Sequence, residues 1–224
     1  RARALGRRDE VPVLGAAGRP RRERPEGRGV ARLAALLEQS VEAALDSAAL
    51  DSGVFVIASA GNDGEDDDGD VGSPGSVEDV ICVGGITRSG EIWSGSSEGD
   101  NDGRIWPNPI LPRSDPDMKP EIVAPGHEVP ILMASGVGNN GWWGWSSGTS
   151  AAAAWVSGSL ALLLQENPEL QRENSSGRQS IEAVKEGISQ SSKMRDGQQS
   201  HDDKYGYGHL SIHLLVSYFS GDES

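Results

Sequence analysis

The order of apolar and polar positions predicts a helix followed by buried strands. Between residues 31 and 50, apolar side chains recur every three or four positions with acidic residues between them, which is typical of an amphipathic helix. The continuous apolar run 53–58 then predicts a strand buried on both faces of a parallel sheet. Two more buried strands are predicted at 79–84 and 121–124. A helix followed by a buried strand is half of a β-α-β unit, so we expect an α/β fold.

The second half of the chain alternates between loop and helix signals. Residues 94–119 are rich in glycine, proline and serine, which predicts a long surface excursion. An apolar helix of small residues is predicted from Ser150 to about Glu166, where Pro168 ends it. A further helix is predicted at 180–190.

Charge divides the chain near residue 30. Residues 1–32 hold ten arginines and four acidic residues, a balance of +6, so the net charge of −14 leaves −20 for the rest. The first segment lacks apolar periodicity, which predicts disorder over 1–30 and one partial domain over 31–224. We interpret this segment as a solvated tail or a spliced-on stretch rather than a nucleic-acid-binding arm. It lacks the apolar core of a secretory signal.

The remaining apolar features indicate neither a membrane span nor a cellular compartment. The longest apolar stretch, 151–164, is interrupted by residues 157–159 and is shorter than the ~20 residues a membrane helix needs. We therefore expect a soluble protein without a membrane partner. The single cysteine, Cys82, lies in an apolar run and is expected to be buried, and with no second cysteine there is no internal disulfide.

Two remote segments carry groups suited to acyl transfer. Ser150 begins the predicted small-residue helix, where unpartnered backbone N–H groups and the helix dipole favour negative charge. Gly148 allows the tight turn before it. Asn62 follows the predicted strand 53–58, so its amide is a second candidate donor to an oxyanion. Taken alone, Ser150 could equally be a helix N-cap and Asn62 a turn residue.

Five motifs in order carry a family resemblance. They are Ala-Ser-Ala-Gly-Asn at 58–62, the serine-rich loop 96–99 with Asp-Gly-Arg at 102–104, Lys-Pro-Glu-Ile-Val-Ala-Pro-Gly at 119–126, Gly-Thr-Ser-Ala-Ala at 148–152 and Tyr-Gly-Tyr-Gly at 205–208. With these motifs, residues 31–215 resemble the subtilisin-like serine proteases, the subtilases of peptidase family S8. The resemblance implies a three-layer α/β fold with a mainly parallel sheet, incomplete at the N-terminal side. It also implies hydrolysis of peptide bonds through an acyl-enzyme.

The resemblance implies a role for each residue of the candidate site. Ser150 would be the catalytic nucleophile and Asn62 the oxyanion donor, while Gly148 and Thr149 would contact a polypeptide substrate. Secretion is favoured by the family alone, and the compartment stays unknown. No cofactor or nucleic acid is implied with certainty.

Structural calcium, which subtilases often bind, is one interpretation of the acidic loop 63–70; a solvated loop is the other. Glu98, Asp100 and Asp102 have the spacing of the start of an EF-hand loop. The twelfth position, however, is Pro109, which has no closing carboxylate. We therefore assign no metal ligand from the sequence.

The family's catalytic aspartate and histidine motifs have no counterpart here. Three aspartates precede Asn62, none in the family's setting, and no histidine precedes it. Without a base the hydroxyl of Ser150 stays protonated. We therefore expect a truncated serine endopeptidase domain, weakly active or inactive alone, with an N-terminal fragment carrying Asp and His as its missing partner. The alternative is a non-catalytic pseudoprotease or an acidic binding module that retains the fold.

Histidines occur only after Asn62, at positions 127, 201, 209 and 213, and we expect them to be solvated or capping side chains. The order Ser150, Asp202, His209 matches an unrelated hydrolase class, but no motif supports it. A Gly-x-Ser-x-Gly elbow fits poorly because position 152 is alanine.

Overall fold

The computed structural model describes residues 48–65, 69–77, 79–99, 104–105, 108–112, 118–132, 142–174 and 177–221. The predicted segment 1–30 and most of the predicted helix 31–50 lie outside these ranges. Residues 48–51 are helical, in agreement with the end of that helix.

Strands and helices follow one another in the order that the pattern predicts. The strands are β1 (Ile57–Ser59), β2 (Ile81–Ile86), β3 (Arg104–Ile105), β4 (Asn108–Pro112), β5 (Ile122–Pro125), β6 (Val129–Leu132) and β7 (Trp143–Ser146). After residues 48–51, the helices are α1 (Thr149–Glu166), α2 (Arg178–Ser191) and α3 (Ile212–Ser220), with a 3-10 turn at Pro168–Leu170. None of the described helices combines the length and the apolar character that a bilayer span requires.

A parallel sheet in the order β1, β2, β5 forms the centre of the fold. All six residues of β2 are buried, as expected for a parallel strand covered on both faces. Beyond β5, His209 continues the sheet through a parallel bridge to Val123. Two antiparallel pairs, β3 with β4 and β6 with β7, lie outside this sheet.

The predicted strands exist, but polar contacts outside the sheet move their boundaries. β2 begins at Ile81 rather than at residue 79, and Asp79 instead forms an ion pair with Arg178 at the start of α2. β1 begins at Ile57 rather than at residue 53, because the N–H of Val54 closes a turn on Ala49 O at 3.0 Å. The pattern of apolar residues cannot predict these polar contacts, because they join residues outside the strands.

Helix α1 packs its buried stripe across the sheet. Ala152, Val156, Leu160 and Leu163 share one helix face and join the main core with residues of β2, β5, α2 and α3. The helix ends at Glu166 as predicted and begins one residue earlier than predicted. Helix α2 extends the predicted range 180–190 by two residues at its start and one at its end.

The expectation that residues 94–119 form a surface excursion is wrong at its two ends, where residues 95–97, Gly99 and Lys119 are buried, although Ser94 and Met118 are exposed. Ser96 and Ser97 are only 3% and 1% exposed. Ser96 Oγ accepts from Gly85 N at 3.0 Å, and Ser97 Oγ accepts from Asp63 N at 3.2 Å. Serine is common in loops, but here its hydroxyls satisfy backbone groups of neighbouring segments, which allows their burial.

Lys119, at the end of the same stretch, is fully buried in a charged network. Its Nζ donates to Val80 O at 2.7 Å and to Glu121 Oε1 at 2.6 Å. Glu121 Oε2 accepts from Cys82 N at 2.7 Å, and Lys185 of α2 lies 3.1 Å from Glu121 Oε1. The network therefore joins the starts of β2 and β5 to α2. Cys82 is buried, as predicted.

Replacing Lys119 by methionine should destabilise the chain by about 3 kcal/mol, because Glu121 would lose its closest buried counter-charge. Urea unfolding followed by circular dichroism measures this change. The control is Lys204→Met, which removes the exposed ion pair with Glu98 (3.1 Å) and should cost less than about 1 kcal/mol. Equal losses for the two variants would contradict a special role for the buried network.

Candidate active site

Asn62 and the Gly148–Thr149–Ser150 turn, 87 positions apart in sequence, meet at the carboxyl end of β1. Asn62 Oδ1 accepts a hydrogen bond from Thr149 N at 2.9 Å. Thr149 Oγ1 lies 3.1 Å from Asn62 Oδ1 and 3.0 Å from Gly61 O, so its proton can bond either oxygen. It also accepts from Gly61 N at 3.2 Å. The residue next to Ser150 is thus fixed directly to Asn62.

Gly61 gives the chain the turn that aims Asn62 at α1. Its φ of +118° belongs to a region that side-chain-bearing residues avoid. A Cβ at this position would lie 2.6 Å from Ser97 Oγ, which is closer than packed atoms approach. Gly61 and Ser97 are therefore positioning residues that the sequence analysis did not identify. For Gly61 a signal was available, because it is a glycine between a buried strand and Asn62.

The turn before Ser150 is held against the end of β5. Gly148 N donates to Gly126 O at 2.7 Å. Gly126 must itself be glycine, because a Cβ there would lie 2.8 Å from Gly85 Cα. The backbones of β2, β5 and the turn thus approach one another closely at the sheet's carboxyl edge.

Ser150 is exposed and lies inside the first turn of α1, whose N-cap is Gly148. The interpretation of Ser150 as a helix N-cap is therefore wrong. No side chain in the described part of the chain caps this terminus, and the first turn of α1 contains no acidic residue. The positive end of α1 thus remains available to an incoming negative charge beside the Ser150 hydroxyl.

The amide of Asn62 is oriented by Thr149. Because Thr149 N is a donor, it requires the oxygen of the Asn62 amide, which turns Nδ2 away from this bond. Asn62 is exposed, and no described residue accepts a hydrogen bond from its Nδ2. The arrangement therefore leaves Asn62 Nδ2 as an N–H donor near the turn that begins α1.

Thr149 itself is fully buried, and its polar atoms bond Asn62 and Gly61. Gly148 packs beside the same amide, since a Cβ built on it would lie 3.7 Å from Asn62 Nδ2. Substrate contact by Gly148 and Thr149 stays a prediction.

The alternative partners of Ser150 have contacts of their own. Asp202 Oδ1 accepts from the backbone N–H groups of Lys204 and Tyr205, each at 2.9 Å, and so closes a turn. His209 pairs with Lys193 and Val123 through its backbone. Burial lowers the pKa of the His209 imidazole, and nearby Lys193 lowers it further. No contact among the described residues joins Asp202 or His209 to Ser150.

Of the other histidines, His201 Nε2 lies 2.9 Å from Pro120 O, and His127 stacks loosely on Trp93 with ring centroids 6.2 Å apart. Among the described residues, no group of three or more His, Cys, Asp or Glu side chains could hold a metal ion. Residues 66–68 and 100–103 lie outside those ranges, so calcium at the loop 63–70 stays a prediction.

Comparison with known proteins identifies the family. The subtilase family model, peptidase S8, matches residues 20–208. The prenylagaramide maturation protease PagA has a similar structure, with 26% identity and a TM-score of 0.54 over 76% of this chain and 52% of that one. The patellamide maturation protease PatA has 21% identity and a TM-score of 0.56 over 81% of this chain and 57% of that one. The patellamide maturation protease PatG has 20% identity and a TM-score of 0.57 over 82% of this chain and 49% of that one.

The chain belongs to the subtilase family, whose model matches most of its length. The predicted α/β fold with a parallel sheet is confirmed by the structure and by these neighbours. The chain spans about half the length of the solved structures it matches. Polypeptides are the substrates that the family implies.

Thr149→Val keeps the side-chain shape but removes the hydroxyl that bonds Gly61 and Asn62. We expect a loss of about 2 kcal/mol in the free energy of unfolding, because partly buried backbone groups of Gly61 lose their partner. Urea unfolding measures the loss. The matched control is Thr87→Val, whose hydroxyl bonds only the exposed Ser89, and it should change stability by less than about 0.5 kcal/mol. A Thr149 variant as stable as this control would show that the hydroxyl does not fix the site.

Proposed function

We propose that this chain provides the nucleophile and oxyanion side of a serine endopeptidase. Ser150 Oγ attacks the carbonyl carbon of a peptide bond while a base takes its proton. The carbonyl oxygen becomes an oxyanion that accepts hydrogen bonds from Asn62 Nδ2 and from the N-terminus of α1. The amine then leaves with a proton, and water hydrolyses the acyl-enzyme. The observation that carries this proposal is the hydrogen bond from Thr149 N to Asn62 Oδ1.

The base is the part of the machinery that the sequence around Asn62 lacks. No histidine precedes Asn62; His127, His201 and His209 have the packing and backbone contacts given above, and His213 is an exposed residue of α3. We therefore propose that the chain is weakly active or inactive alone and that a polypeptide segment with the family's Asp and His completes the site.

An uncovered face of α1 supports this completion. The helix has no charged residue before Glu166, and a helix that is apolar all round is normally buried on every side. Here Trp155 and Leu162 are 54% and 57% exposed. On another side of α1, an apolar groove of about 350 Å³ runs between this helix and the start of β1, lined by Val54, Phe55, Ile57, Leu160, Ala161 and Leu164. A completing segment would bury this surface.

The position of β1 supports the same proposal. Within the described part of the chain, β1 pairs only with β2 and is an edge of the parallel sheet. A helix that leads into β1 belongs to a right-handed crossover from a parallel strand, and such a strand often lies next to β1. In the arginine-rich residues 1–30 the one short apolar run, 11–14, contains Pro12, which argues against a central strand there. We therefore propose that the completing segment provides it.

The second candidate function is a pseudoprotease or acidic binding module. The absence of the family's Asp and His motifs before Asn62 favours it. The retention of Ser150, of Asn62 and of the uncapped N-terminus of α1 favours the protease instead, because a binding module needs none of these together.

A serine-directed fluorophosphonate probe separates the two functions. We expect no labelling of the chain alone, because the Ser150 hydroxyl has no base. Labelling should appear when an N-terminal subtilase fragment with the Asp and His motifs is added, and mass spectrometry should locate it on Ser150. The Ser150→Ala variant is the control.

No labelling of the mixture would favour the pseudoprotease. Labelling of the chain alone that His209→Ala abolishes would overturn the proposal in favour of the Ser150, Asp202, His209 arrangement.

Asn62→Asp isolates the donor function of the amide. The carboxylate keeps an acceptor for Thr149 N but loses the N–H₂ group, so we expect labelling of the completed enzyme to slow by about 100-fold or more. The matched control is Asn174→Asp, an exposed position whose amide bonds Pro168 O at 2.9 Å, and its labelling rate should not change. Equal rates for the two variants would exclude Asn62 as the oxyanion donor.

A further inference from the structure

A small cavity lies directly beside Asn62. Its volume is about 240 Å³, and it is lined by Asn62, Asp63, Glu65, Trp93 and Gly95. This is below the usual range of pockets for drug-sized ligands and suits a single amino-acid side chain. Because Asn62 borders both the cavity and Ser150's helix terminus, a side chain in the cavity would belong to a residue whose backbone lies close to the reacting carbonyl.

The charged groups of the cavity are both carboxylates. Glu65 Oε1 accepts from Ser94 Oγ at 2.6 Å, which holds this carboxylate at the rim. Among the described residues, neither Asp63 nor Glu65 forms an ion pair, whereas Glu98 and Glu121 each have a lysine. The loop 63–70 contains six acidic residues and no lysine or arginine. The cavity thus has negative charge without a counter-charge from the described part of the protein.

Trp93 lines the same cavity and depends on Gly95 for its position. A Cβ on Gly95 would lie 2.5 Å from Cζ2 of the indole, so only glycine lets the ring lie against the backbone there. A guanidinium plane stacks favourably on an indole face and can bond carboxylates at its edge. An aromatic wall with carboxylates is therefore a better match for arginine than for an apolar or acidic side chain.

We propose that this cavity binds the side chain of a basic residue, arginine in preference to lysine, and that the protease cleaves polypeptides beside it. This proposal rests on the proposed function, because it names the substrate class of the same site. The acidic cavity selects a cation, and the neighbouring Asn62 amide receives the oxyanion of the peptide bond that the basic residue brings with it. The chain's net charge of −14 favours the approach of such substrates.

Binding of a single capped amino acid to the full chain tests the proposal without any hydrolysis. The probe is N-acetyl-arginine amide, and its matched control is N-acetyl-citrulline amide, which has the same shape but no charge. Ligand-observed NMR should detect saturable binding of the arginine probe only, and this binding should weaken as salt is added.

Substitutions in the cavity should weaken binding of the arginine probe. Glu65→Gln and Asp63→Asn should each weaken it about threefold, and the double variant about tenfold. Glu182→Gln, on the exposed face of α2, makes the same change in net charge as Glu65→Gln and should have no effect. Because these side chains are exposed, all variants should fold, which circular dichroism verifies.

Equal binding of the two probes, no saturable binding, or equal weakening by Glu182→Gln and Glu65→Gln would overturn the basic-residue proposal. None of these results depends on Ser150 reacting. The two proposals can therefore fail independently. Probe binding tests the basic-residue cavity, and fluorophosphonate labelling tests the protease function.

Discussion

The hydrogen bonds of Thr149 to Asn62 and Gly61 are the constraint on which the site depends. They join the first turn of α1 to the end of β1 across 87 positions of sequence, and they decide how the Asn62 amide is oriented. The glycines at 61 and 126 make this approach sterically feasible, because a Cβ at either would collide with a neighbouring segment. The position of Ser150 next to Asn62 in the fold is therefore set by the packing of these backbone segments and by Thr149, rather than by contacts of the Ser150 side chain.

The sheet that positions this junction is itself held by buried polar groups. Lys119 and Glu121 join β2 to β5, and the hydroxyl of Ser96 joins Gly85 to the following loop. Elsewhere, Trp155 and Leu162 of α1 are exposed, and within the described part of the chain β1 is an edge of the parallel sheet. These exposed apolar side chains and this strand edge underlie the proposal that another polypeptide segment completes the enzyme.

Much of the framework was predictable because it follows from apolar periodicity. The runs around β1, β2 and β5 and the small-residue helix α1 are all present, with boundaries shifted by a few residues. The sequence motifs also predicted that Asn62 and Ser150 would come together. The burial of Ser97 and Lys119 was not predictable from the pattern, because polar residues become core residues only when specific partners such as Asp63 N or Val80 O meet them in three dimensions. The cavity beside Asn62 depends on Trp93 reaching it from a distant loop, which no local signal contains.

The most direct measurement is a crystal structure of the completed enzyme with a phosphonate bound covalently to Ser150. The phosphoryl oxygen of such an adduct occupies the place of the oxyanion. If Asn62 and the start of α1 form one oxyanion site, this oxygen will lie about 2.7 to 3.2 Å from Asn62 Nδ2. A phosphoryl oxygen that points away from Asn62 and finds its donors elsewhere would contradict the account.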